Sequence, residues 1–217
     1  MAQKANPIIT RIGIVKNWRS TWFGGKNFGE FIVEDAKIRQ FIAKKLAAAS
    51  VADVKIERFA KETVITIYSG KPGFVIGRSG AGIDDLRGEI SKIVKNDIKV
   101  NVEEARNPDA VAAIVAGNIA HQLEKRISYR RAAKQALEKA TQAGAEGIKV
   151  NLAGRLGGAE MSRRESFIRG RMPLSTFRSD IDYAFIPAFT TYGAIGIKVW
   201  IYKGEVFEKE KESQLGS

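Results

Sequence analysis

The sequence contains no cysteine and a single histidine, His121, among its 217 residues. Without cysteine the chain has no disulfide, no thiolate metal site and no cysteine nucleophile, and such a composition suits a reducing compartment. With one histidine it has no multi-histidine metal site, and a Ser-His-Asp triad would have to use His121. These absences exclude several classes of enzyme, and we expect His121 to lie on a helix without a catalytic role.

Long hydrophobic runs are also missing. The longest apolar stretch, residues 110–117, is far shorter than the roughly 18 residues that a membrane-spanning helix needs. The first residues, MAQKANPIITRIG, lack the apolar core of a secretory signal. Because 44% of the residues are nevertheless hydrophobic, the chain can bury a core. We expect a soluble, cytoplasmic protein with one large domain or two small ones and no membrane partner.

Positive charge is in excess and unevenly distributed. The 36 Lys and Arg residues outnumber the 24 Asp and Glu residues, which gives a formal net charge of +12. Residues 106–180 alone hold fourteen basic and seven acidic residues, and ten of these fourteen are Arg. Because the planar guanidinium group matches the geometry of phosphate oxygens, this composition predicts a polyanionic partner, above all a nucleic acid. A solvated basic surface is the alternative interpretation.

Hydrophobic periodicity predicts two α+β modules with a boundary near residue 107. The first module begins with a helix over residues 35–49, in which Ile38, Ile42 and Leu46 share one face. Short β-branched runs predict the strands, and a hairpin joins the last two of them. The remaining predicted elements are strands near 54–57 and 64–68, a helix at 83–94, a strand at 98–102, helices at 108–127 and 129–143, and strands at 148–152, 166–172, 182–191 and 194–202.

A glycine-rich loop lies between the second strand and the second helix of the first module. Gly77, Arg78, Ser79 and Gly80 form a GxxG spacing, which occurs five times in this sequence and is weak evidence by itself. This copy alone has an apolar lead-in, a basic residue inside and an amphipathic helix directly after it. Glycine lets the backbone approach a ligand closely, and the N–H groups that open a helix attract phosphate. The loop is therefore typical of a KH domain, whose GxxG loop clamps about four nucleotides; a plain tight turn is the alternative.

Several longer stretches extend this interpretation. They read PGFVIGRSGAGIDDLR, QLEKRISYRRAAKQAL, GAEGIKVNLAGRLGGAE, GRMPLSTFRSDIDYA and TTYGAIGIKVWIYKGE. In this order they resemble the family of bacterial protein three of the small ribosomal subunit, and the resemblance covers about residues 1–207.

The resemblance implies an α+β fold in four segments. An N-terminal arm would occupy residues 1–34, and a type II KH RNA-binding domain residues 35–106. A C-terminal domain would occupy residues 107–207, with helices packed on a mostly antiparallel sheet. Residues 208–217, which are charged and polar, would form a disordered tail.

The resemblance also implies a function. Proteins of this family are structural components of the head of the small subunit, bind ribosomal RNA and contact messenger RNA where it enters the subunit. The implied partners are therefore ribosomal RNA, messenger RNA and the small-subunit proteins ten and fourteen, with protein two nearby. The protein would be ribosome-bound in the cytoplasm, without enzymatic activity, cofactor or metal.

The family's cationic cluster at the messenger RNA entrance corresponds here to Arg130, Arg131 and Lys134. At about 100° per residue, Arg126 would lie on the same helical face. Three or four cations on one face would engage successive phosphates of a single strand. Without the resemblance, a solvated amphipathic face would be the better interpretation.

A second group of cations is expected to contact ribosomal RNA. Five Arg residues and one acid, Glu165, occur in the sixteen residues from 163 to 178. Arg155 stands among three glycines, where the backbone passes close either to RNA or to a neighbouring strand. The arm adds cations beside Trp18 and Trp22, which would either stack on bases or pack against the protein. The predicted contacts are Lys4, Arg11, Lys16, Arg155, Arg163, Arg164, Arg169, Arg171 and Arg178.

Two other functions stay open at this stage. A free regulator that binds single-stranded RNA through the KH loop would carry the same loop and the same charge. A nuclease with a role in DNA repair would need a metal site. Asp180 and Asp182, expected on one face of a strand, would supply two carboxylates for such a site, but the sequence shows no third ligand.

Overall fold

The computed structural model describes residues 5–59, 61–77, 80–94 and 96–207. The predictions for Lys4, Arg78, Ser79 and the tail at 208–217 lie outside these residues. The chain divides into two units, one over Trp18–Pro108 and the other composed of Met1–Asn17 and Asp109–Ser217. We call them the first and the second unit; each contains a four-stranded sheet and its own hydrophobic core.

The first unit is a sheet with three helices on one face. In chain order its elements are β1 Ser20–Thr21, α1 Phe28–Lys45, β2 Val51–Arg58, β3 Glu62–Ser69, α2 Pro72–Ile76, α3 Ala81–Ile90 and β4 Asp97–Glu104. The strand order is β1-β2-β3-β4, with β2 antiparallel and β4 parallel to β3. Alternation along β2 and β3 turns Val54, Ile56, Ile65 and Ile67 to the buried face, which the helices cover.

Helix α1 begins at Phe28, seven residues before the predicted start at residue 35. The prediction was wrong because it took Asp35 for a residue near the helix start. Asp35 is buried inside the helix, and its carboxylate accepts hydrogen bonds from Ser20 Oγ at 2.8 Å and Trp22 Nε1 at 2.9 Å. The Arg58 guanidinium lies 2.6 Å from the same carboxylate. Asp35 therefore joins residues 20–22 to helix α1.

The second unit is an antiparallel sheet with two helices on one face. Its elements are α4 Ala112–Glu124, α5 Tyr129–Gln142, β5 Gly147–Gly154, β6 Arg163–Gly170, β7 Ser179–Thr190 and β8 Gly193–Glu205. The strand order is β6-β5-β8-β7. Buried Ile and Val side chains of β5 and β8 meet Ala-rich faces of both helices in one core. Within the described ranges, every helix is too short or too polar to cross a membrane.

Most predicted boundaries in the second unit are displaced by a few residues. Helix α4 begins at Ala112 after a short 3₁₀ turn at Pro108–Ala110. Strand β6 begins at Arg163, before the predicted start at residue 166, because antiparallel pairing with β5 extends to Gly154. The hairpin pairs Thr190 with Gly193, so its two loop residues are 191 and 192, one position earlier than predicted.

The predicted arm at residues 1–34 is divided between the two units. Residues 18–34 belong to the first unit, whereas the described residues 5–17 belong to the second. Arg11 attaches residues 5–17 to the second unit, and its side chain is completely buried there. Its Nε donates to Ser179 O at 2.7 Å, and its Nη2 donates to Thr176 O at 2.8 Å and Leu174 O at 3.1 Å.

Arg11 is thus a structural residue, and its predicted contact with ribosomal RNA is wrong. The guanidinium donates its hydrogen bonds to backbone carbonyls, including Pro7 O at 3.0 Å. Because it is buried, a phosphate cannot reach it. Burial lowers the pKa of Arg11 below its usual value, while the carboxylate of Asp180 acts in the opposite direction. Lys16 lies 2.6 Å from Asp180 and provides a second attachment of the same segment.

We expect Arg11→Lys to lower the free energy of unfolding of the second unit by about 2–4 kcal/mol. A single ammonium group does not reach all of these carbonyls and leaves buried acceptors unpaired. Urea unfolding combined with amide hydrogen exchange measures the loss, which should appear in peptides from 109–207 and not in those from 28–104. The exposed Arg131→Lys is the control, with an expected change within about 0.5 kcal/mol. Equal stability of the two variants would contradict the role of Arg11.

Candidate nucleic-acid interface

The glycine loop lies where the sequence predicts it, between α2 and α3. Gly77 follows the last residue of α2 with a φ of +70°, and Gly80 precedes α3 with a φ of +86°. Both positions are in the left-handed region, which residues with a Cβ adopt at a cost. The two glycines of the GxxG motif are therefore required by the backbone, while Arg78 and Ser79 between them are outside the described residues.

Gly82 is a third glycine of this loop that the sequence analysis missed. A Cβ at this position would lie 2.6 Å from the carbonyl oxygen of Val75 and 3.0 Å from that of Ile76. Helix α3 therefore approaches the end of α2 through a residue without a side chain. The sequence does contain a signal for this close approach: Gly82 follows Gly80 by two residues and stands in the first turn of α3, where a glycine is unfavourable unless packing requires it.

An exposed aromatic ring stands beside the loop. Phe74 in α2 is 67% exposed, and Lys71 Nζ lies 5.8 Å from the centre of its ring. Single-stranded nucleic acids bind to surfaces that combine a cation with an aromatic ring on which a base can stack. The structure thus adds Phe74 and Lys71 to the predicted loop.

Helix α5 carries three of the four predicted messenger-contacting cations. Its inward face consists of Ala132, Ala133, Leu137 and Ala140, all buried. Its outward face carries the exposed side chains Arg130, Arg131 and Lys134. Within the described residues, no carboxylate lies within 4 Å of Arg131 or Lys134. Arg130, by contrast, has Glu165 at 3.8 Å.

Arg126 does not share this helical face, and the prediction that it does is wrong. Helix α4 ends at Glu124 and α5 begins at Tyr129, so Arg126 lies in the connection. Its φ of +61° is left-handed, and its N–H donates to Leu123 O at 3.0 Å, which closes the end of α4. Arg126 is exposed and precedes the first turn of α5.

The side chain of Arg130 has two neighbours. Its guanidinium lies 5.5 Å from the centre of the Tyr129 ring. Its Nη2 lies 3.8 Å from Glu165 Oε1 on β6. The Tyr129 hydroxyl donates a hydrogen bond of 2.8 Å to the same carboxylate oxygen.

The arginines of 163–178 do not form one patch. Phe167 of β6 packs against the core beneath the helices, so Arg163, Glu165 and Arg169, at even spacing from it, share the helix-covered side of the strand. Arg164 lies on the opposite face of the sheet. Arg178 is paired with Glu205, which raises the pKa of its guanidinium above the usual value. The exposed members of the predicted set are Arg163, Arg164, Arg169, Arg171 and Arg178.

Two further predicted RNA contacts have partners inside the protein. The Arg155 Nε donates to Ala159 O at 2.9 Å, and its Nη1 donates to Tyr192 O at 3.2 Å. Arg155 thereby holds its own glycine-rich loop against the β7–β8 hairpin. Lys16 is half-buried and paired with Asp180, so contact with a phosphate would have to compete with that ion pair.

The open face of the second sheet combines cations with aromatic rings. Lys149 Nζ lies 5.5 Å from the Trp200 ring, and Lys198 Nζ lies 5.8 Å from the Phe185 ring. Tyr183 lies 5.2 Å from Trp200, measured between ring centres, and burial raises the pKa of its phenol above the usual value. The strand register puts Arg164 on the same face.

Asp180 and Asp182, the two carboxylates considered for a metal site, each have a partner inside the protein. Asp180 is the ion-pair partner of Lys16. Asp182 Oδ2 accepts a hydrogen bond of 2.8 Å from the N–H of Ala112, the first residue of α4. In the described part of the chain, no group of three or more His, Asp or Glu residues is arranged to hold a metal ion. The metal-dependent nuclease therefore has no support from these two residues.

The fold and the glycine loop define the class of the protein: a type II KH domain combined with a second α+β unit. Residues 37–110 match the family profile described as KH domain, and residues 119–201 match that described as Ribosomal protein S3, C-terminal domain. The α+β class predicted from the sequence is confirmed.

Close relatives carry one name. Small ribosomal subunit protein uS3 of Porphyromonas gingivalis is 52% identical over 96% of this chain and 85% of its own length. The uS3 protein of Legionella pneumophila is 50% identical over 98% of both chains. That of Pediococcus pentosaceus is 45% identical over 100% of this chain and 97% of its own. The chain belongs to the uS3 family of small ribosomal subunit proteins, as the sequence resemblance implied.

We expect Gly82→Ala and Gly88→Ala, two substitutions in the same helix, to have opposite effects on the first unit. The methyl group at 82 collides with the Val75 carbonyl and should cost about 1–3 kcal/mol. A Cβ at Gly88 meets nothing within 4 Å and should stabilise the helix by about 0.5–1 kcal/mol. Urea unfolding followed by tryptophan fluorescence in a Trp200→Phe background reports on this unit through Trp18 and Trp22. Stabilisation by both substitutions would contradict the close approach of α2 and α3.

Proposed function

We propose that the protein binds ribosomal RNA as a structural component of the small-subunit head and contacts messenger RNA where it enters the subunit. The observation that carries the second part is the outward face of α5. Arg130, Arg131 and Lys134 are all exposed within an arc of about 100°, and among the described residues only Arg130 has a carboxylate within 4 Å.

This face suits a single strand of RNA. Side chains at positions i and i+4 of a helix have their Cβ atoms about 5–6 Å apart, so Arg130 and Lys134 form a short row with Arg131 beside it. Such a row neutralises neighbouring phosphates without contacting the bases, and its affinity comes largely from the release of counterions. Contacts of this kind hold an incoming messenger regardless of its sequence.

Ribosomal RNA is proposed to bind elsewhere on the chain. The KH loop offers Gly77 and Gly80 as points of close backbone approach, with Arg78 and Ser79 between them. On the second unit the exposed arginines of β6 and of the segment after it offer phosphate contacts on both faces of the strand. The contacts that have no competing internal partner in the described residues are Arg163, Arg164, Arg169 and Arg171.

Protein neighbours are part of the same proposal. The second unit exposes large apolar side chains on or near its open sheet face, among them Ile168 at 56%, Phe185 at 55% and Phe189 at 72%. Exposed apolar surface of this extent commonly marks a protein contact. We propose small-subunit proteins ten and fourteen as direct neighbours, with protein two nearby, and we propose no enzymatic step.

We expect the triple variant Arg130→Ala, Arg131→Ala, Lys134→Ala to fold normally and to bind single-stranded RNA with a shallower salt dependence. The three side chains are exposed, so little stability is lost. Each lost phosphate contact should reduce the slope of log K against log salt by about 0.7, which amounts to roughly two for the triple variant. Fluorescence anisotropy with a labelled oligouridylate of about twelve nucleotides measures the slope.

A matched control separates this site from bulk charge. Lys37→Ala, Lys44→Ala and Lys92→Ala together remove the same charge from exposed positions on the first unit, and this variant should keep the original slope to within about 0.5. Equal slopes for the two triple variants would overturn the messenger-contacting role of α5.

We expect nearly all of the protein in a cell lysate to sediment with small ribosomal subunits. A subunit component is held by many RNA and protein contacts, whereas a free regulator that uses the same KH loop would remain mostly in the ribosome-free fractions. Quantitative immunoblotting across a sucrose gradient makes this distinction. A predominance of ribosome-free protein would contradict the proposed structural role.

A further inference from the structure

Glu165 is the single acid among the five arginines of residues 163–178. It lies on the helix-covered side of β6, where antiparallel pairing puts it opposite Leu152. Its carboxylate meets the first turn of α5, through the hydrogen bond from Tyr129 at 2.8 Å and the ion pair with Arg130 at 3.8 Å. An acid thus lies beside the cations that are proposed to bind messenger RNA.

This ion pair contributes little to folding. The Arg130 side chain is 68% exposed and that of Glu165 is 28% exposed, and exposed pairs of this kind stabilise proteins only marginally. A carboxylate next to a phosphate-binding cation has a different consequence, because it competes with the phosphate for the same positive charge. We expect the charge of Glu165 to affect RNA binding more than stability.

Tyr129 limits that competition. A direct hydrogen bond from guanidinium to carboxylate has an N···O distance of about 2.7–3.2 Å, and the observed 3.8 Å is longer. The Tyr129 hydroxyl instead donates to the same oxygen, Oε1, and its ring supports the guanidinium at 5.5 Å. Arg130 is kept beside the carboxylate while its N–H donors remain available to a phosphate.

We propose that Glu165 and Tyr129 together set how strongly the messenger-contacting face of α5 binds phosphate. Glu165 competes with the phosphate for Arg130, and the hydrogen bond from Tyr129 to Glu165 Oε1 weakens that competition. An arriving phosphate then displaces a weak pair instead of a strong one. This inference rests on the proposed function of α5.

The two residues are expected to have opposite effects on RNA affinity. Glu165→Gln retains an acceptor for the Tyr129 hydroxyl and removes the competing charge, so binding should tighten by roughly two- to fivefold at low salt. Tyr129→Phe keeps the ring and releases the carboxylate to pair directly with Arg130, so binding should weaken by a similar factor. In the double variant the Tyr129→Phe loss should disappear, because a glutamine has no charge to pair.

The test uses the full-length protein and the same labelled oligouridylate, with every variant also made in an Arg130→Ala background. Both effects should vanish in that background, because each acts through Arg130. Glu160→Gln is the matched control, since it removes one exposed acid from the same unit. Its smaller effect should not depend on Arg130.

Three outcomes would overturn the inference. The first is a Glu165→Gln effect that persists without Arg130, which would make Glu165 a general charge. The second is a Tyr129→Phe loss that persists in the Glu165→Gln background, which would indicate direct contact of the hydroxyl with RNA. The third is unchanged binding in both single variants although the α5 triple variant loses salt slope. If the triple variant itself keeps its slope, the proposed function fails instead.

Discussion

The packing of α5 on the second sheet is the constraint on which the proposed function depends. The helix packs against the core through Ala133, Leu137 and Ala140, and Ala132 is buried as well. Small side chains let the helix lie close to the sheet. The long cationic side chains of the opposite face therefore project into solvent. The outward position of the cationic row is therefore a consequence of how the helix is packed. A polar residue on the inner face would disturb the core and the cationic row together.

Two charged side chains, Arg11 of the N-terminal segment and Asp182 of β7 beside the start of α4, stabilise the unit that carries this helix. Arg11 joins residues 7–11 to the segment at 173–179, and Asp182 accepts a hydrogen bond from the first N–H of α4. Both are charged groups satisfied almost entirely by backbone atoms, which is the arrangement that makes a buried charge tolerable. In the first unit the buried charge of Asp35 is satisfied instead by side chains, those of Ser20, Trp22 and Arg58.

Local patterns in the sequence predicted the parts of the structure that depend on local geometry. Gly77 and Gly80 were recognised because a glycine loop followed by a helix is a short-range signal, and their positive φ angles explain the residue choice. Arg11 and Asp180 were misinterpreted because their partners are distant in sequence: Ser179 is 168 residues from Arg11. Arg126 was placed on a helix because the predicted helix ran to residue 127, and the left-handed residue that follows α4 leaves no signature in a non-glycine sequence.

The claim that the outward face of α5 contacts messenger RNA is tested most directly by crosslinking. A messenger containing 4-thiouridine a short distance downstream of the decoding site would be bound to small subunits assembled with this protein and irradiated, and the crosslinked peptides identified by mass spectrometry. The account predicts crosslinks in the peptide spanning Tyr129–Gln142, and their loss in subunits that carry the α5 triple variant. Crosslinks confined to other segments of the chain, with the same yield in the variant, would contradict it.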